Sequence, residues 1–418
     1  MSNALIDKIK KKEIKVCVVG LGYVGLPLLE LLVKKNFNGI GYDIDKKAVD
    51  NAIKNGVPAT INDKEALEGF DCAIICVPTP VEENHRPNLE FVESAAEIIS
   101  KYLKKDSLVI LESTVAPGTC EEILLPILDK SGLKQGDFFV AHCPERIDPG
   151  NKEWTVENLP RVLGGIDEES SEAAFVFYKN VLDADVVKLS SAKAAEAVKI
   201  VENTFRDVNI AFVNELAKSF DEIGIDINEV IKGARSKPFG YMPHYPGCGV
   251  GGHCIAIDPY YLIEKAEQSG FNHRFLKLAR EINNSMPKYT VKKINKGLNM
   301  AKIAINGSNI AILGLAYKPN VEDTRESPAF PIIEELKKWG ANITIYDPYC
   351  PDLSDVKTLD DALGNVDCIV VITAHEEFKE ITPEKIKENG IKVVIDGRNV
   401  LDSKNIKKLG IIYEGIGR

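Results

Sequence analysis

A glycine-rich turn near the N-terminus narrows the possible folds of this chain more than any other segment. The stretch KVCVVGLGYVGLPLLELL, residues 15–32, places Gly20, Gly22 and Gly25 in G-x-G-x-x-G spacing. It joins an apolar, strand-like run to an amphipathic, helix-like run. Such a turn lets a pyrophosphate approach bare backbone at a helix N-terminus. The segment therefore predicts the first strand and helix of a dinucleotide-binding sheet.

An acidic residue follows the next apolar run at the distance this kind of site requires. Asp43 lies 18 residues after Gly25. A carboxylate there hydrogen-bonds the adenosine ribose and repels a 2′-phosphate, so NAD is predicted as the cofactor rather than NADP. The alternative is a glycine-rich strand–helix turn that binds nothing. A second turn, ILGLAYKPN, has Gly314 alone, which favours a ligand other than a dinucleotide in the C-terminal part.

The order of strand-like and helix-like segments predicts the fold class. Apolar runs alternate with amphipathic runs in the first half, and the same alternation returns from about Gly307. The residues between have helical periodicity, including a long run from Ser191. We predict an α/β protein with two Rossmann-like, doubly wound parallel sheets joined by a long helical segment. The expected domains are 1–190 (NAD-binding), 191–295 (helical) and 296–418 (a second Rossmann-like domain).

Bulk composition excludes several classes of protein. With 418 residues, 44% hydrophobic and 27% charged, the chain resembles an ordinary multidomain globular protein. A net charge of -10 argues against nucleic acid or an anionic membrane as the main partner. No signal-peptide core or membrane-spanning apolar run is present in the sequence. Nine scattered cysteines fit no disulfide framework, so we expect reduced thiols and a cytoplasmic location.

The segment YPGCGVGGHCIAIDP, residues 245–259, places a thiol and a carboxylate in a glycine-rich loop. A thiolate at Cys254 can attack an aldehyde; hydride loss then gives a thioester, which water hydrolyses to a carboxylate. The alternatives are a small buried core residue for Cys254 and a turn or helix cap for Asp258. Cys248 with His244 and His253 matches no common zinc spacing, so no metal site is predicted.

Lys199 and Asn203 are separated by one helical turn on the long central segment, and therefore share a face. From periodicity alone, a surface lysine that extends its charge into solvent is the favoured interpretation of Lys199.

Taken together, the motifs resemble those of the UDP-glucose/GDP-mannose dehydrogenase family along nearly the whole chain. GLGYVGLPL resembles the family's NAD loop. The later signatures follow in the family's order: ESTVAPGT, CPERIDPG, AEAVKIVENTFRDVNIAFVNELA, GVGGHCIAIDPYYL and GLAYKPNVEDTRESPA. The resemblance implies oxidation of a nucleotide-sugar C6 hydroxyl to a carboxylate, with two NAD reduced and no aldehyde released. It also implies a UDP-binding C-terminal domain and a homodimer formed through the central helix.

The resemblance assigns roles to individual residues. Cys254 corresponds to the nucleophile, and Asp258 to an acid that assists water or orients the site. Lys199 and Asn203 correspond to residues that stabilise charge on the C6 oxygen and hold a water, which replaces the surface interpretation of Lys199. The implied catalytic set is Cys254, Lys199, Asn203, Asp258, Thr114 and Glu145.

Binding roles follow from the same resemblance. The implied NAD-binding residues are Gly20, Gly22, Tyr23, Val24, Gly25, Asp43, Lys47, Pro78, Thr79, Ser113, Thr114 and Arg325. The implied substrate-binding residues are Glu145, Arg146, Lys199, Asn203, Arg235, Tyr245, Gly251 and Lys318. Within these sets, Thr114 and Glu145 position water and the sugar, and Arg235 would act across the dimer.

Two departures from the UDP-glucose pattern indicate a different sugar. Pro149 stands where a second acid usually follows the PE pair, and the cysteine motif reads GGHCIAIDP. Both resemble enzymes that oxidise UDP-N-acetylhexosamines. The segment SKPFGYMPHYPG before the motif favours UDP-N-acetylglucosamine, with the mannosamine and galactosamine isomers as alternatives and UDP-glucose after them.

Two further hypotheses remain open from the sequence. A single-step dehydrogenase of 2-hydroxy or 3-hydroxy acids also combines a dinucleotide domain with a Lys and an Asn one turn apart. It needs neither Cys254 nor a further α/β domain. An inactive protein that binds NAD and a nucleotide sugar would keep the fold without turnover.

Overall fold

The computed structural model describes residues 3–82, 87–147, 151, 153–252 and 254–418. The chain divides into two compact units. Unit 1 comprises Met1–Glu202 and Ile257–Asn272, and unit 2 comprises Asn203–Ala256 and His273–Arg418. Each unit contains a sheet of Rossmann-like topology, which confirms the predicted fold class. The division into three domains at residues 190 and 295 stays a prediction.

Unit 1 is built on an eight-stranded sheet of order β3-β2-β1-β4-β5-β6-β7-β8. Its strands are β1 (Lys15–Val19), β2 (Asn38–Tyr42), β3 (Ala59–Thr60), β4 (Cys72–Ile75), β5 (Leu108–Leu111), β6 (Phe139–His142), β7 (Arg161–Gly165) and β8 (Val186–Lys188). The pairings are parallel except between β6 and β7, which run antiparallel. The chain order reverses direction between β1 and β4, and such a switch point is where open α/β sheets bind ligands.

Alternation along β1 explains why both faces of this sheet are covered. Val16 and Val18 pack into one apolar cluster, and Cys17 and Val19 into another, as expected for side chains that alternate between faces. The helices before the long central one are α1 (Asn3–Lys11), α2 (Gly25–Lys34), α3 (Lys46–Lys54), α4 (Asp63–Leu67), α5 (Glu90–Ser100), α6 (Leu125–Leu128) and α7 (Glu168–Val181). Residues of α2 and α7 join the first cluster, and residues of α5 join the second.

Four helices make up the central part of the chain. They are α8 (Ala192–Ile223), α9 (Ile227–Arg235), α10 (Asp258–Gln268) and α11 (Arg274–Met300). The predicted long helix is therefore confirmed as the 32 residues of α8. No helix among the described residues is long and apolar enough to cross a bilayer.

Unit 2 contains a five-stranded, all-parallel sheet of order β10-β9-β11-β12-β13. Its strands are β9 (Asn309–Leu313), β10 (Asn342–Tyr346), β11 (Cys368–Val371), β12 (Val393–Asp396) and β13 (Ile412–Gly415). The accompanying helices are α12 (Ala329–Lys338), α13 (Leu359–Leu363), α14 (Pro383–Glu388) and α15 (Ser403–Lys408). Ile310 and Ile312 face one apolar cluster, while Ala311 and Leu313 face the other, so this sheet too is buried on both faces.

Candidate active site

The glycine-rich turn after β1 has the backbone geometry that a dinucleotide loop requires. Gly20 has a φ of +94°, in the left-handed region, and an added Cβ would lie 2.7 Å from the Cys76 carbonyl oxygen. A Cβ at Gly25 would overlap the Gly20 carbonyl oxygen, whereas Gly22 has nothing within 4 Å. Because α2 begins at Gly25, the N-terminus of this helix lies next to the open position at Gly22.

Asp43 is held against the glycine turn by its own hydrogen bonds. Its Oδ2 accepts from the Leu21 N–H at 2.8 Å, and its Oδ1 accepts from the Asp45 N–H at 2.8 Å. The side chain is half-buried, which leaves part of the carboxylate accessible. The acid predicted to bind the adenosine ribose is thus positioned directly beside the predicted pyrophosphate loop.

Three other residues of the predicted NAD set lie on these two turns. Tyr23 is 69% exposed and Val24 is half-buried, both in the turn ahead of α2. Lys47 is exposed near the start of α3, where its N–H donates to the Asp45 side chain. These positions and the fit of the turn agree with a bound NAD, although their individual roles stay predictions.

The turns after β4 and β5 supply the next predicted residues. Pro78 is exposed and Thr79 buried, and the Tyr261 hydroxyl donates to the Thr79 carbonyl at 2.8 Å. Ser113 is buried and donates through Oγ to the Val77 carbonyl at 2.7 Å. Both turns follow strands at the carboxyl edge beside the switch point, the usual position of ligands in this fold.

Glu196 ties the turn that contains Thr114 to the long helix. Its carboxylate accepts hydrogen bonds from the Gly118 N–H at 2.5 Å and the Cys120 N–H at 2.8 Å. Thr114 is half-buried in the same turn. Lys199 follows Glu196 on α8 by three residues, so this carboxylate links two predicted catalytic segments. The sequence analysis did not single out Glu196, since a lone Glu on a helix has no local signal.

Cys120, Glu196 and His142 form a buried group of metal-ligand type, with ligand atoms within 4.8 Å of one another. Both ring nitrogens of His142 lack a hydrogen-bond partner among the described residues, and burial lowers the pKa of this ring to about 3. Both Glu196 oxygens already accept backbone N–H groups, so we assign this carboxylate to anchoring the turn.

Lys199 and Asn203 occupy the positions on α8 that the one-turn spacing predicts. Lys199 is half-buried and Asn203 is buried. Half-burial is compatible with the interpretation favoured by periodicity alone, in which the stem of Lys199 packs and its charge reaches solvent. A lysine with restricted solvent access interacts more strongly with nearby developing negative charge than a fully exposed one.

Glu145 and Arg146 follow β6 and are firmly held. The Oε1 of Glu145 accepts the N–H groups of Arg146 and Ile147, each at 2.6 Å, and the side chain is buried. The Arg146 guanidinium donates to the Glu202 carboxylate of α8, with Nε at 3.1 Å from Oε2. The turn after β6, which contains Glu145 and Arg146, is thus bonded to α8, the helix that contains Lys199.

The cysteine loop in unit 2 packs against the turn that follows β9. The Gly252 N–H donates to the Arg325 carbonyl at 3.0 Å. A Cβ at Gly251 would lie 2.7 Å from the Tyr317 Cβ, and one at Gly252 would lie 2.7 Å from the Tyr317 ring. In the fold, close contact with Tyr317 requires glycine at both positions. The contact brings Gly251 together with the segment that contains Lys318 and Arg325.

Cys254 differs from every other cysteine of the chain. The side chain of Cys254 is exposed, whereas the other eight cysteines are buried. The hypothesis of a small buried core residue therefore does not hold for Cys254. Cys248, in contrast, has no exposure and belongs to an apolar cluster of unit 2. His244 contacts the Met242 carbonyl through Nδ1 at 3.1 Å.

The remaining predicted residues have clear places in the fold. Asp258 is buried and is the first residue of α10, after the helix cap at Ile257. Arg235 ends α9 and is exposed, and Tyr245 is 52% exposed. His253 and Pro149, both weighed in the sequence analysis, lie outside the described residues.

The unit 2 sheet also has a glycine turn after its first strand, but the acid beside that turn is buried. Gly314 follows β9 with a φ of +96°, and Asp347 follows β10. The Asp347 Oδ2 accepts from the N–H groups of Leu315 at 2.6 Å and Ala316 at 2.8 Å, and it also contacts His375. Asp347 is buried, unlike Asp43, so this acid is not available to a ribose.

Two predicted binding residues lie in the following turn. Lys318 is half-buried, and the Arg325 guanidinium pairs with Asp323, with Nη2 and Oδ2 2.6 Å apart.

Comparison with known proteins identifies three consecutive family domains. Residues 51–182 match the NAD binding domain of the UDP-glucose/GDP-mannose dehydrogenase family, residues 193–285 its central domain and residues 311–403 its UDP binding domain. The chain belongs to this family. It is therefore an NAD-dependent nucleotide-sugar dehydrogenase that acts on a CH–OH group.

Individual relatives of this family cover almost the whole chain. A UDP-N-acetyl-D-mannosamine dehydrogenase of Methanococcus maripaludis is 39% identical over 96% of this chain and 97% of its own. A UDP-N-acetyl-D-glucosamine 6-dehydrogenase of Pseudomonas aeruginosa is 38% identical over 91% of this chain and 94% of its own. The solved structure of a UDP-D-ManNAc dehydrogenase from Pyrococcus horikoshii matches with a TM-score of 0.90 and 34% identity, over 97% of this chain and 99% of that one.

Proposed function

We propose that this dehydrogenase oxidises the C6 hydroxyl of a UDP-N-acetylhexosamine to a carboxylate, with UDP-N-acetylglucosamine as the first candidate. The single observation that carries this proposal is the exposure of Cys254 alone among nine cysteines. Its glycine loop is fastened to the Tyr317–Arg325 turn within the matched UDP binding domain. An accessible thiol is what a covalent second oxidation requires.

Each proposed catalytic residue has a chemical task. Lys199 and Asn203 stabilise negative charge on the C6 oxygen as its proton leaves. The Cys254 thiolate adds to the C6 aldehyde to give a thiohemiacetal, which loses a second hydride to become a thioester. Asp258, Thr114 and Glu145 hold or activate the water that cleaves the thioester. Covalent attachment explains why the aldehyde would not be released.

The cofactor residues complete this scheme. Gly20, Gly22, Gly25 and Asp43 would hold NAD, which when bound accepts a hydride in each of the two oxidations. One sugar and one water thus yield one carboxylate, two NADH and three protons. Lys318 is proposed to contact substrate, Arg325 the cofactor, and Arg235 the substrate of a second copy.

The identity of the sugar is a choice between C2 epimers. Relatives named for the mannosamine and glucosamine substrates are 39% and 38% identical to this chain, so identity alone does not separate the two. The sequence before the cysteine motif favours UDP-N-acetylglucosamine. The names of several relatives favour UDP-N-acetylmannosamine as a second candidate.

The deciding experiment is the yield of NADH per mole of limiting sugar. UDP-N-acetylglucosamine, UDP-N-acetylmannosamine, UDP-N-acetylgalactosamine and UDP-glucose are assayed in parallel with excess NAD. Two NADH for one acetylated sugar supports the proposal and names the substrate. One NADH contradicts a four-electron oxidation. If none of the four nucleotide sugars yields NADH, the proposed substrate class is contradicted. The hypothesis of an inactive protein that binds NAD and a nucleotide sugar would then remain.

A matched variant tests the role of Cys254. Cys254→Ala removes the nucleophile, and we expect steady-state NADH production to fall at least roughly 1,000-fold. Cys350→Ala, a buried cysteine of the same unit, serves as the control and should retain activity. Equal activity of Cys254→Ala and wild type would contradict a covalent mechanism.

We further propose a homodimer that forms through α8. Val201, Phe205 and Phe212 are 54%, 48% and 54% exposed, and they recur at helical spacing on one face of α8. A second copy of the same helix would cover such an apolar stripe. Light scattering should give twice the mass of the chain, and Phe205→Asp with Phe212→Asp should give a monomer. A cytoplasmic location stays our prediction.

A further inference from the structure

A buried guanidinium connects two acidic residues at the carboxyl edge of the unit 1 sheet. Arg161 begins β7 and has no solvent exposure. It pairs through Nη2 with the Glu145 Oε2, and its Nη1 lies 3.6 Å from the Glu112 Oε2. Glu112, which follows β5, is also buried and accepts the Tyr178 hydroxyl at its other oxygen. The sequence analysis identified only Glu145 of this group.

Sheet register explains why these residues meet. Strands β6 and β7 run antiparallel, with His142 opposite Gly164. Continued three residues further, this register places Glu145 opposite Arg161. The antiparallel pairing therefore brings a cation to the end of β6, at the edge where strands β1 to β6 have their carboxyl ends. Glu112 approaches from β5, which is hydrogen-bonded to β6.

Stability does not account for such a group. Removing three charges from water costs several kcal/mol per ion, roughly, and apolar replacements of similar volume are often at least as stable. Buried charge networks of this kind concentrate at functional sites. Glu145 is the one member of the group with a role in the proposed function. Arg161 and Glu112 would therefore act through their effect on the Glu145 carboxylate.

The contacts of Glu145 leave its carboxylate little freedom. Oε1 accepts two backbone N–H groups, at 2.6 Å each, and Oε2 accepts from Arg161. Within the part of the chain that the structure describes, the Arg161 Nε and Nη1 have no hydrogen-bond acceptor. The guanidinium is oriented instead by Glu145, by the charge of Glu112 and by the Tyr178 ring, whose centroid lies 5.9 Å from Cζ. The direction of Glu145 thus depends on Arg161 and on the ionisation of Glu112.

We propose that Arg161 is a positioning residue for the reaction and Glu112 its modulator, together fixing the orientation of the Glu145 carboxylate that holds the hydrolytic water. The inference rests on the proposed function. It assigns Arg161 no contact with substrate. When Glu112 is protonated, Arg161 interacts with Glu145 alone; when Glu112 is ionised, the guanidinium is shared between two carboxylates.

The ionisation of Glu112 falls in an accessible pH range. Burial raises the pKa of its carboxyl to about 7, with Glu145 acting in the same direction and Arg161 and Tyr178 opposing it. Cys76 after β4 and Cys143 after β6 also adjoin this group. Burial raises the pKa of both thiols, so Glu112 is the member expected to change charge near neutral pH.

Arg161→Lys tests the positioning role, since it keeps the charge but loses the planar fork of donors. We expect steady-state turnover to fall about 10- to 100-fold, the scale of a misplaced catalytic group. Because only hydrolysis of the thioester is slowed, rapid mixing should show a burst of two NADH per site before slow turnover. The Cys254 peptide should then carry the mass of the acyl group.

Controls separate positioning from folding. Arg418→Lys alters a different ion pair, a partly buried one with Asp226 in unit 2, and should turn over normally. Glu112→Gln is the second variant should Arg161→Lys fail to fold. It should remove the inflection near pH 7 from the wild-type profile of kcat, which a purely structural role would not do.

The possible outcomes are distinct. A folded Arg161→Lys variant with the wild-type rate and no burst overturns the inference and leaves the proposed function intact. A Glu112→Gln profile that keeps the inflection likewise overturns it. If the wild type makes no NADH from any nucleotide sugar, the proposed function fails before any variant is assayed, and the inference fails with it.

Discussion

The Asp347 Oδ2 and the His375 Nε2 lie 3.1 Å apart, and neither side chain has any solvent exposure. The His375 Nδ1 accepts the Asn320 N–H at 3.0 Å, so Nε2 carries the ring proton and donates it to Asp347. The same carboxylate oxygen binds the two N–H groups that follow the Gly314 turn. One buried acid therefore organises the loop at the carboxyl edge of the unit 2 sheet.

Asp347→Asn should destabilise unit 2. The amide carries N–H donors and no charge, so hydrogen bonds to a charged acceptor are lost, each contributing about 1.5 to 3 kcal/mol. We expect a loss of about 2 to 4 kcal/mol in the free energy of unfolding. Urea unfolding of unit 2 can be followed by Trp339 in a Trp154→Phe background, because the chain has two tryptophans.

The pH dependence of this acid has a defined sign. Burial would raise the pKa of the Asp347 carboxyl, but hydrogen bonds from His375 and backbone N–H groups hold it below its usual value. Its contribution to stability is present above the unfolded pKa and is lost as the pH falls through the folded value. Asp402→Asn, at an exposed helix cap of the same unit, is the control. Equal unfolding midpoints for both variants at pH 7 would contradict the assignment.

Thiol labelling should distinguish Cys254 from the other eight cysteines without any assay of activity. Those eight are buried, and burial raises the pKa of each. A disulfide reagent at pH 8 should modify one thiol quickly in the native protein and all nine after denaturation. Cys254→Ala should abolish the fast phase, and Cys350→Ala should not. Several fast thiols in the native wild type would contradict the burial pattern.

Asp43→Asn should weaken NAD binding and reduce discrimination against NADP. The variant loses a charged acceptor for the ribose and for the Leu21 N–H, which we expect to raise the dissociation constant for NAD about 10-fold. Removal of the negative charge should lower the ratio of the NADP dissociation constant to the NAD dissociation constant, because the carboxylate no longer repels the 2′-phosphate. Calorimetric titration of both cofactors measures the two effects. Asp45→Asn, which changes only the cap of α3, should leave both constants close to wild type.

Glu112→Gln should change the pH dependence of stability. The raised pKa of Glu112, about 7, means that its contribution is present below the unfolded pKa and is lost as the pH rises through about 7. Gln mimics the protonated form at every pH. The melting temperature of the variant relative to wild type should therefore rise between pH 5 and pH 8. Glu157, whose pKa Lys34 and Lys35 lower to about 2, supplies the control: Glu157→Gln should show a constant difference over that range. A flat difference for Glu112→Gln would contradict the raised pKa of Glu112.

Local pattern was enough for much of the sheet architecture. The apolar runs that became β1, β2, β4, β5, β6 and β9 to β12 are each bounded by turn residues, and alternation along them assigns both faces. The long helix α8 followed from periodicity over 32 residues. The strands β3, β7, β8 and β13 were not recognised. Two of them, β3 and β8, are only two and three residues long, and the pairing of β7 and β13 depends on neighbouring strands rather than on their own pattern.

The residues of the candidate site divide along the same line. Short-range geometry makes several site features visible in the sequence. These are the glycine turn, Asp43 at a strand end, Cys254 in its glycine-rich loop, and the spacing of Lys199 and Asn203 by one helical turn. The partners of Glu145 are not visible, since Arg161 reaches it only through an antiparallel pairing and Glu112 only through an adjacent strand. In the same way, the need for glycine at positions 251 and 252 comes from their contact with Tyr317. These residues are distant in the sequence, so only the packing of the folded chain brings them together.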